Sequence, residues 1–231
     1  MILRSILTVL ACSLAVQAET VFQDDFANGL EQWALVGHAE GMPSVQDGML
    51  ELTPTVPGEP WECRATSTAQ WTDYGRYELS FDVMHWHEDP ENQLVRVTMP
   101  GGLQLAIRDW GNGVKVLFNG EEIGATSTQF NQVQSFRMVT DGRRAAVFHN
   151  GQEEWSGTLA NDPDFRQSPS IVLWCKAGAK VCRFDNVKLD YAPKTALPPV
   201  SARWRPDLDN TPNLHTTTLA IDGVLKGPVA K

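Results

Sequence analysis

The 231-residue sequence is short of basic residues: 19 Lys and Arg stand against 28 Asp and Glu, a formal net charge of -9. Neutralising many phosphates over a broad surface needs the opposite balance, which argues against a nucleic-acid partner. Long apolar runs are missing too. Nothing after the first eighteen residues approaches the roughly 20 apolar residues that a membrane-spanning helix needs. The 3.6-residue apolar period is nearly absent, and with it the amphipathic helices that separate the strands of a parallel α/β fold. The chain contains no Gly-x-Ser-x-Gly elbow, no phosphate loop, no zinc-ligand spacing and no internal repeat. What remains is ordinary globular material, 42% hydrophobic and 20% charged, enough for one core.

Residues 1–18, MILRSILTVLACSLAVQA, read as a signal peptide. Arg4 lies near the start, an apolar run extends from Ile6 to Val16, and Val16 and Ala18 occupy the small-residue positions before the cut. The expectation is a secreted or periplasmic protein beginning at Glu19. A rival is a lipoprotein anchor through Cys12, to which Val9 and Leu10 are a poor fit. Export leaves Cys63, Cys175 and Cys182, one of which must stay unpaired. Cys175 and Cys182 flank KAGAKV, a turn-like segment, so the expected disulfide joins them across a hairpin. The alternative makes all three small buried hydrophobes.

From Val21 to Tyr191 short alternating or β-branched runs are punctuated by turn chemistry, including Gln46-Asp47-Gly48, Asn119-Gly120, Asp141-Gly142 and Asn150-Gly151. Asn-Gly and Asp-Gly accept positive φ and favour tight hairpins. About a dozen strands in a chain of this length imply an all-β, antiparallel two-sheet sandwich or jelly roll. The expected domain covers residues 19–192. Residues 193–231 turn Pro-rich and polar and read as an extended C-terminal tail, with Trp204 as an anchor and Thr216 to Ile221 as a candidate edge strand.

The opening VFQDDFANGLEQWALVG and the closing CRFDNVKLDY resemble the first and last strands of concanavalin A-like, laminin G-like sandwich domains. VKVLFNGEEI and AAVFHNGQEEW resemble hairpins of that superfamily. Within it, YGRYELSFDVMHW is most similar to the strand before the site in bacterial 3-keto-disaccharide hydrolase-like domains. The superfamily holds lectins, carbohydrate-binding modules, glycoside hydrolases and polysaccharide lyases. The resemblance therefore implies an oligosaccharide or polysaccharide ligand and leaves open whether the chain holds it or cuts it.

Strand parity picks out a surface. Along Arg76 to Trp86 the odd positions Tyr77, Leu79, Phe81 and Val83 are apolar and Glu78, Asp82 and Trp86 fall opposite. The same reading sends Arg96 outward in the next run, and Gln104, Arg108 and Trp110 outward in the one after. If the three runs are neighbours in one sheet, Glu78, Asp82, Trp86, Arg96, Arg108 and Trp110 form one carbohydrate-binding face. The indoles would stack on sugar rings while the charged groups bond hydroxyls. The plainer alternative pairs Asp82 with Arg96 as a cross-strand ion pair.

His85-Trp86-His87-Glu88-Asp89 is unusual, but alternation turns His85 toward the core as a strand-end histidine. For glycoside hydrolysis the superfamily's glucanases carry an alternating Glu, Asp, Glu cluster; here Glu78-Leu79-Ser80-Phe81-Asp82 has Ser80 in the middle. A carboxylate pair from Asp82 and Asp109 would need a bulge. No cofactor is required. A structural calcium is a candidate where Asp24 and Asp25 on the first strand meet Asp185 and Asn186 on the last, the alternative being surface positions and turn caps. Two rival readings accompany glycan binding: a glycoside hydrolase using the same face, and a laminin G-like domain that recognises a protein.

Overall fold

The computed structural model describes residues 18–37, 42–53, 62–86, 91–110, 114–124, 132–176, 181–194, 217–221 and 224–229. The body of the expected signal peptide, Cys12 and Trp204 lie outside these residues. In chain order the strands are β1 (Glu19–Asp24), β2 (Trp33–Val36), β3 (Ser44–Gln46), β4 (Met49–Leu52), β5 (Glu62–Ser67), β6 (Gly75–Trp86), β7 (Glu91–Thr98) and β8 (Gln104–Trp110). There follow β9 (Val114–Phe118), β10 (Glu121–Gly124), β11 (Gln134–Asp141), β12 (Arg144–His149), β13 (Gln152–Thr158), β14 (Val172–Lys176), β15 (Val181–Pro193), β16 (Thr217–Ile221) and β17 (Val224–Val229).

The expected all-β antiparallel sandwich is what forms, with more strands than the dozen expected. A first sheet runs β13-β12-β11-β6-β15-β4-β3, with β1 also paired to β15, and a second runs β10-β9-β8-β7-β14-β5-β2. Alternation decides which side of each strand is buried. Leu79 and Val83 of β6 and Phe184 and Leu189 of β15 meet Ala65, Val97, Leu105 and Leu173 of the second sheet in one core cluster, all between 0% and 2% exposed. Each such Leu or Phe contributes about 1.5–3 kcal/mol by leaving water.

The turn signals work as expected. Asp47-Gly48, Asn119-Gly120 and Asn150-Gly151 all take positive φ and close two-residue hairpins between β3 and β4, β9 and β10, and β12 and β13. The two asparagines do more than turn the chain. Asn119 accepts the Gln104 backbone N–H through Oδ1 at 2.9 Å, and Asn150 accepts that of Ser135 at 3.0 Å, tying each hairpin to the next strand.

β15 changes partner along its length. Cys182 to Phe184 pair with β4, whereas Lys188 to Tyr191 pair with β1. Between them lies a bulge opposite β6, where Asn186 takes φ 50, a conformation Asn tolerates better than most residues.

Two sequence expectations change here. Between Trp86 and Glu91 the chain leaves the first sheet for the second, so β6 and β7 are not neighbours. Thr195–Lys231 forms a unit of its own, and its β16 pairs with β17 as a two-stranded sheet, so the tail contains a hairpin. A strand does form almost where Thr216 to Ile221 was expected, but its partner is the segment that follows it.

Candidate functional site

The parity of the expected face is right and its pairing is wrong. Glu78 and Asp82 lie on the outer side of β6 in the first sheet, while Arg96 and Gln104 lie on the outer side of β7 and β8 in the second, with Arg108 in register beside them. The sandwich therefore sets the carboxylates and the arginines on opposite surfaces. An Asp82–Arg96 ion pair is excluded for the same reason, while the Asp109 side chain lies outside the described residues. Trp86 and Trp110 end strands of different sheets; their side chains, and that of His85, lie outside the described residues.

On the first sheet the charges neutralise one another. Glu78 receives Arg137 at 3.1 Å and Arg76 at 3.3 Å, Lys188 bonds Asp190 at 2.8 Å, and Arg183 joins Glu51 at 2.9 Å and Asp47 at 3.1 Å. Arg137 also caps the Phe148 ring at 3.7 Å. Asp82 and Asp185 are register partners, two carboxylates face to face across adjacent strands. The Asp82 carboxylate accepts the Ser135 hydroxyl at 2.5 Å and the Asn186 amide at 2.9 Å. Burial raises the Asp185 carboxyl above the ordinary value; the Asn186 backbone N–H pulls the other way, and Asp82, Asp25 and Asp24 add repulsion.

The second sheet is different. Arg64 on β5, Trp174 on β14 and Arg96 on β7 are consecutive register partners, so they form one rung across three strands. The Arg96 guanidinium lies over the Trp174 indole at 4.6 Å, and Trp174 is only 8% exposed although it faces outward. Arg108 follows on β8, opposite Lys115 on β9, and Lys115 is engaged by Glu122 at 2.6 Å. Among the described residues no carboxylate lies within ion-pair distance of Arg64 or Arg96, and the buried Arg64 Nε has no acceptor. Sequence reading passed over Arg64 and Trp174. The signal was there: in ECRATS and IVLWCK the alternating Cys63, Ala65, Leu173 and Cys175 take the core and leave Arg64 and Trp174 outside.

The terminal acids do meet, since β1 pairs with β15 and Asp24 stands opposite Val187. Asp24 is buried and already occupied: Oδ1 accepts the Phe26 N–H at 2.8 Å and Oδ2 accepts the Trp33 indole N–H at 2.7 Å. Asp25 caps Ala27 at 3.1 Å. Among the described residues no group of three or more His, Cys, Asp or Glu converges as a metal site.

The cysteines also meet, though not across a hairpin. Cys175 lies near the end of β14 in the second sheet and Cys182 near the start of β15 in the first, with their Sγ atoms 2.7 Å apart across the core. That exceeds a disulfide bond length: Cys63, Cys175 and Cys182 are all buried and none is in a disulfide. Cys63 is the register partner of Cys175, and burial pushes its thiol up to about 11.

Near the opposite edge, a cavity of about 460 Å³ lies beside the β9–β10 hairpin and is lined by Phe118, Trp155, Asn161 and Asp162 among others.

No protein-family model and no curated protein sequence matches the chain. Solved structures do resemble it. A sialidase superposes with a TM-score of 0.55 at 12% identity, over 73% of this chain and 18% of the sialidase. A Bacillus subtilis protein of unknown function with a galectin-like fold gives 0.55 at 8% identity, over 77% of this chain and 100% of that one. The carbohydrate-binding module CBM66 from Bacillus subtilis gives 0.50 at 13% identity, over 69% and 95%. The likeness is one of fold. It is compatible with the jelly-roll sandwich fold that the strand motifs implied and does not single out the 3-keto-disaccharide hydrolase-like branch.

Proposed function

We propose that this chain is an exported carbohydrate-binding sandwich whose site is the outer face of the second sheet. The observation that carries the reading is the Arg64–Trp174–Arg96 rung, cationic and without a described carboxylate partner, next to Arg108 and Gln104. The first sheet offers fewer uncommitted groups, because Glu78 is held in ion pairs and Asp82 accepts two side-chain donors. A sugar on the second sheet would meet guanidinium donors held by packing, which lowers the entropy lost on binding. Neighbours of this fold that include a carbohydrate-binding module and a sialidase support a saccharide as the partner. β8, which ends at Trp110, belongs to this sheet, and β6, which ends at Trp86, belongs to the other.

One observation favours the enzyme reading on the other face. Asp82 and Asp185 oppose each other and the Asp185 carboxyl is raised, the arrangement that lets one acid stay protonated beside an ionised partner.

Incubating the protein with a broad oligosaccharide and polysaccharide panel, then mass-analysing both the bound fraction and the supernatant, tests both. The expected result is intact glycan in the bound fraction, with retention lost in Arg96→Ala and kept in Asp82→Asn. Released fragments that disappear in Asp82→Asn or Asp185→Asn would make the first sheet a hydrolase site. Retention that survives Arg96→Ala but fails in Trp155→Ala would move the site to the cavity beside β9–β10.

A further inference from the structure

We infer that the arginine rung of the second sheet selects acidic saccharides, those carrying a carboxylate or sulfate on the sugar, over neutral ones. The inference rests on the reading of this face as a glycan site and adds the charge of the ligand.

A neutral pyranose presents hydroxyls that both donate and accept, so its sites mix donors with acceptors. Among the described residues of this face, carboxylate acceptors are nearly absent. Guanidinium groups only donate, and the carboxylate described on this face, Glu122, is taken up by Lys115 at 2.6 Å. The acids of the first sheet lie on the far side of the core. A ligand for this face must bring its own negative charge or its own surplus of acceptors.

The geometry suits an oxyanion. Arg64 and Arg96 flank Trp174 in register, so their backbones stand about 10 Å apart, two strand spacings. Arg108 is the diagonal neighbour of Arg96 on β8. Stacking on the indole fixes the plane of the Arg96 guanidinium while leaving its N–H edges unused, and a planar fork of this kind matches a carboxylate or sulfate in two parallel hydrogen bonds. Trp174 is too covered to serve a neutral sugar as an open stacking surface. The Arg64 Nε, buried and without an acceptor, is the donor such an anion would satisfy. In a protein of net charge -9, Arg64 and Arg96, with no described carboxylate within ion-pair distance, are a local departure from the whole.

The test compares matched polymers by titration calorimetry: polygalacturonate against its carboxyl-reduced neutral form, and dextran sulfate against dextran. At least tenfold tighter binding to one acidic member is expected, and which pair shows it separates carboxylate from sulfate. Arg64→Gln and Arg96→Gln should each cost tenfold or more on the acidic ligand. Arg96→Lys should lose most of the affinity although it keeps the charge, and thermal melts confirm that the variants fold. Equal affinity for the acidic and neutral members would overturn the charge selection and leave the glycan reading standing. No binding to any of the four polymers or to the wider glycan panel would remove both. Equal binding to dextran sulfate and to duplex DNA would replace saccharide recognition with general polyanion capture.

Discussion

Single residues show how placement assigns chemistry. Asp24 and Asp185 both lie where the first and last strands of the sandwich meet, yet they do different work. Asp24 is satisfied by two donors, the Phe26 N–H and the Trp33 indole, and acts as an anchor for the turn after β1. Asp185 is held near other acids, and burial, with Asp82, Asp25 and Asp24 beside it, outweighs the one backbone N–H in its favour. A carboxyl raised above its unfolded value of 3.8 contributes stability at low pH and loses it as pH rises through the folded value. Asp185→Asn should therefore melt higher than wild type at pH 7, with the gain vanishing near pH 3; melts across this range are the measurement. A variant less stable at pH 7 only when calcium is present would restore the proposed ion, whose carboxylate ligand the substitution removes. None of this was legible in the sequence. Asp24, Asp25 and Asp185 look alike along the chain, and only the fold brings one of them to an indole N–H.

At the scale of elements, the two-residue alternation was readable almost everywhere. Tyr77, Leu79, Phe81 and Val83 turn inward on β6, Val95 and Val97 on β7, and Leu105 and Ile107 on β8, as parity required. The tight turns were readable as well, because so few residues accept positive φ. Asn150 takes φ 47 and ties Ser135 to its hairpin. Asn150→Ala should cost about 1–3 kcal/mol in urea unfolding, from strain at that φ and the loss of two side-chain hydrogen bonds, to Ser135 and Gln134, while Asn150→Gly should cost less. Equal losses for the two variants would show that the side-chain bonds, not the backbone conformation, hold the turn. The register between strands was not readable. His87 to Pro90 has turn composition, which serves a hairpin and a crossing between sheets equally well, and β6 and β7 on either side of it belong to different sheets.

For the whole molecule, the cysteines link the sheets. Cys175 and Cys182 touch from opposite sheets, so oxidation would join the two layers at one end of the core. Cys63 lies beside Cys175 in register, and burial raises the thiols of both above the ordinary value, so the 2.7 Å contact of Cys175 with Cys182 is what favours their pairing. Refolding from urea in a glutathione redox buffer should yield a Cys175–Cys182 bond with Cys63 as thiol, read by non-reducing peptide mapping, and about 2–3 kcal/mol of added stability for so short a loop. A bond from Cys63 to either partner would overturn the pairing.

The sequence alone determined the fold class, the buried side of most strands and the positions of the turns, since each depends on residues within a few positions of one another. The tertiary structure alone decided which outward side chains share a surface. It separated Glu78 and Asp82 from Arg96 and Arg108, and it joined Arg64, Trp174 and Arg96 from three strands distant in the chain. The physical reason is that alternation is a local property of the backbone pleat, whereas sheet membership follows from pairing and packing over the entire core.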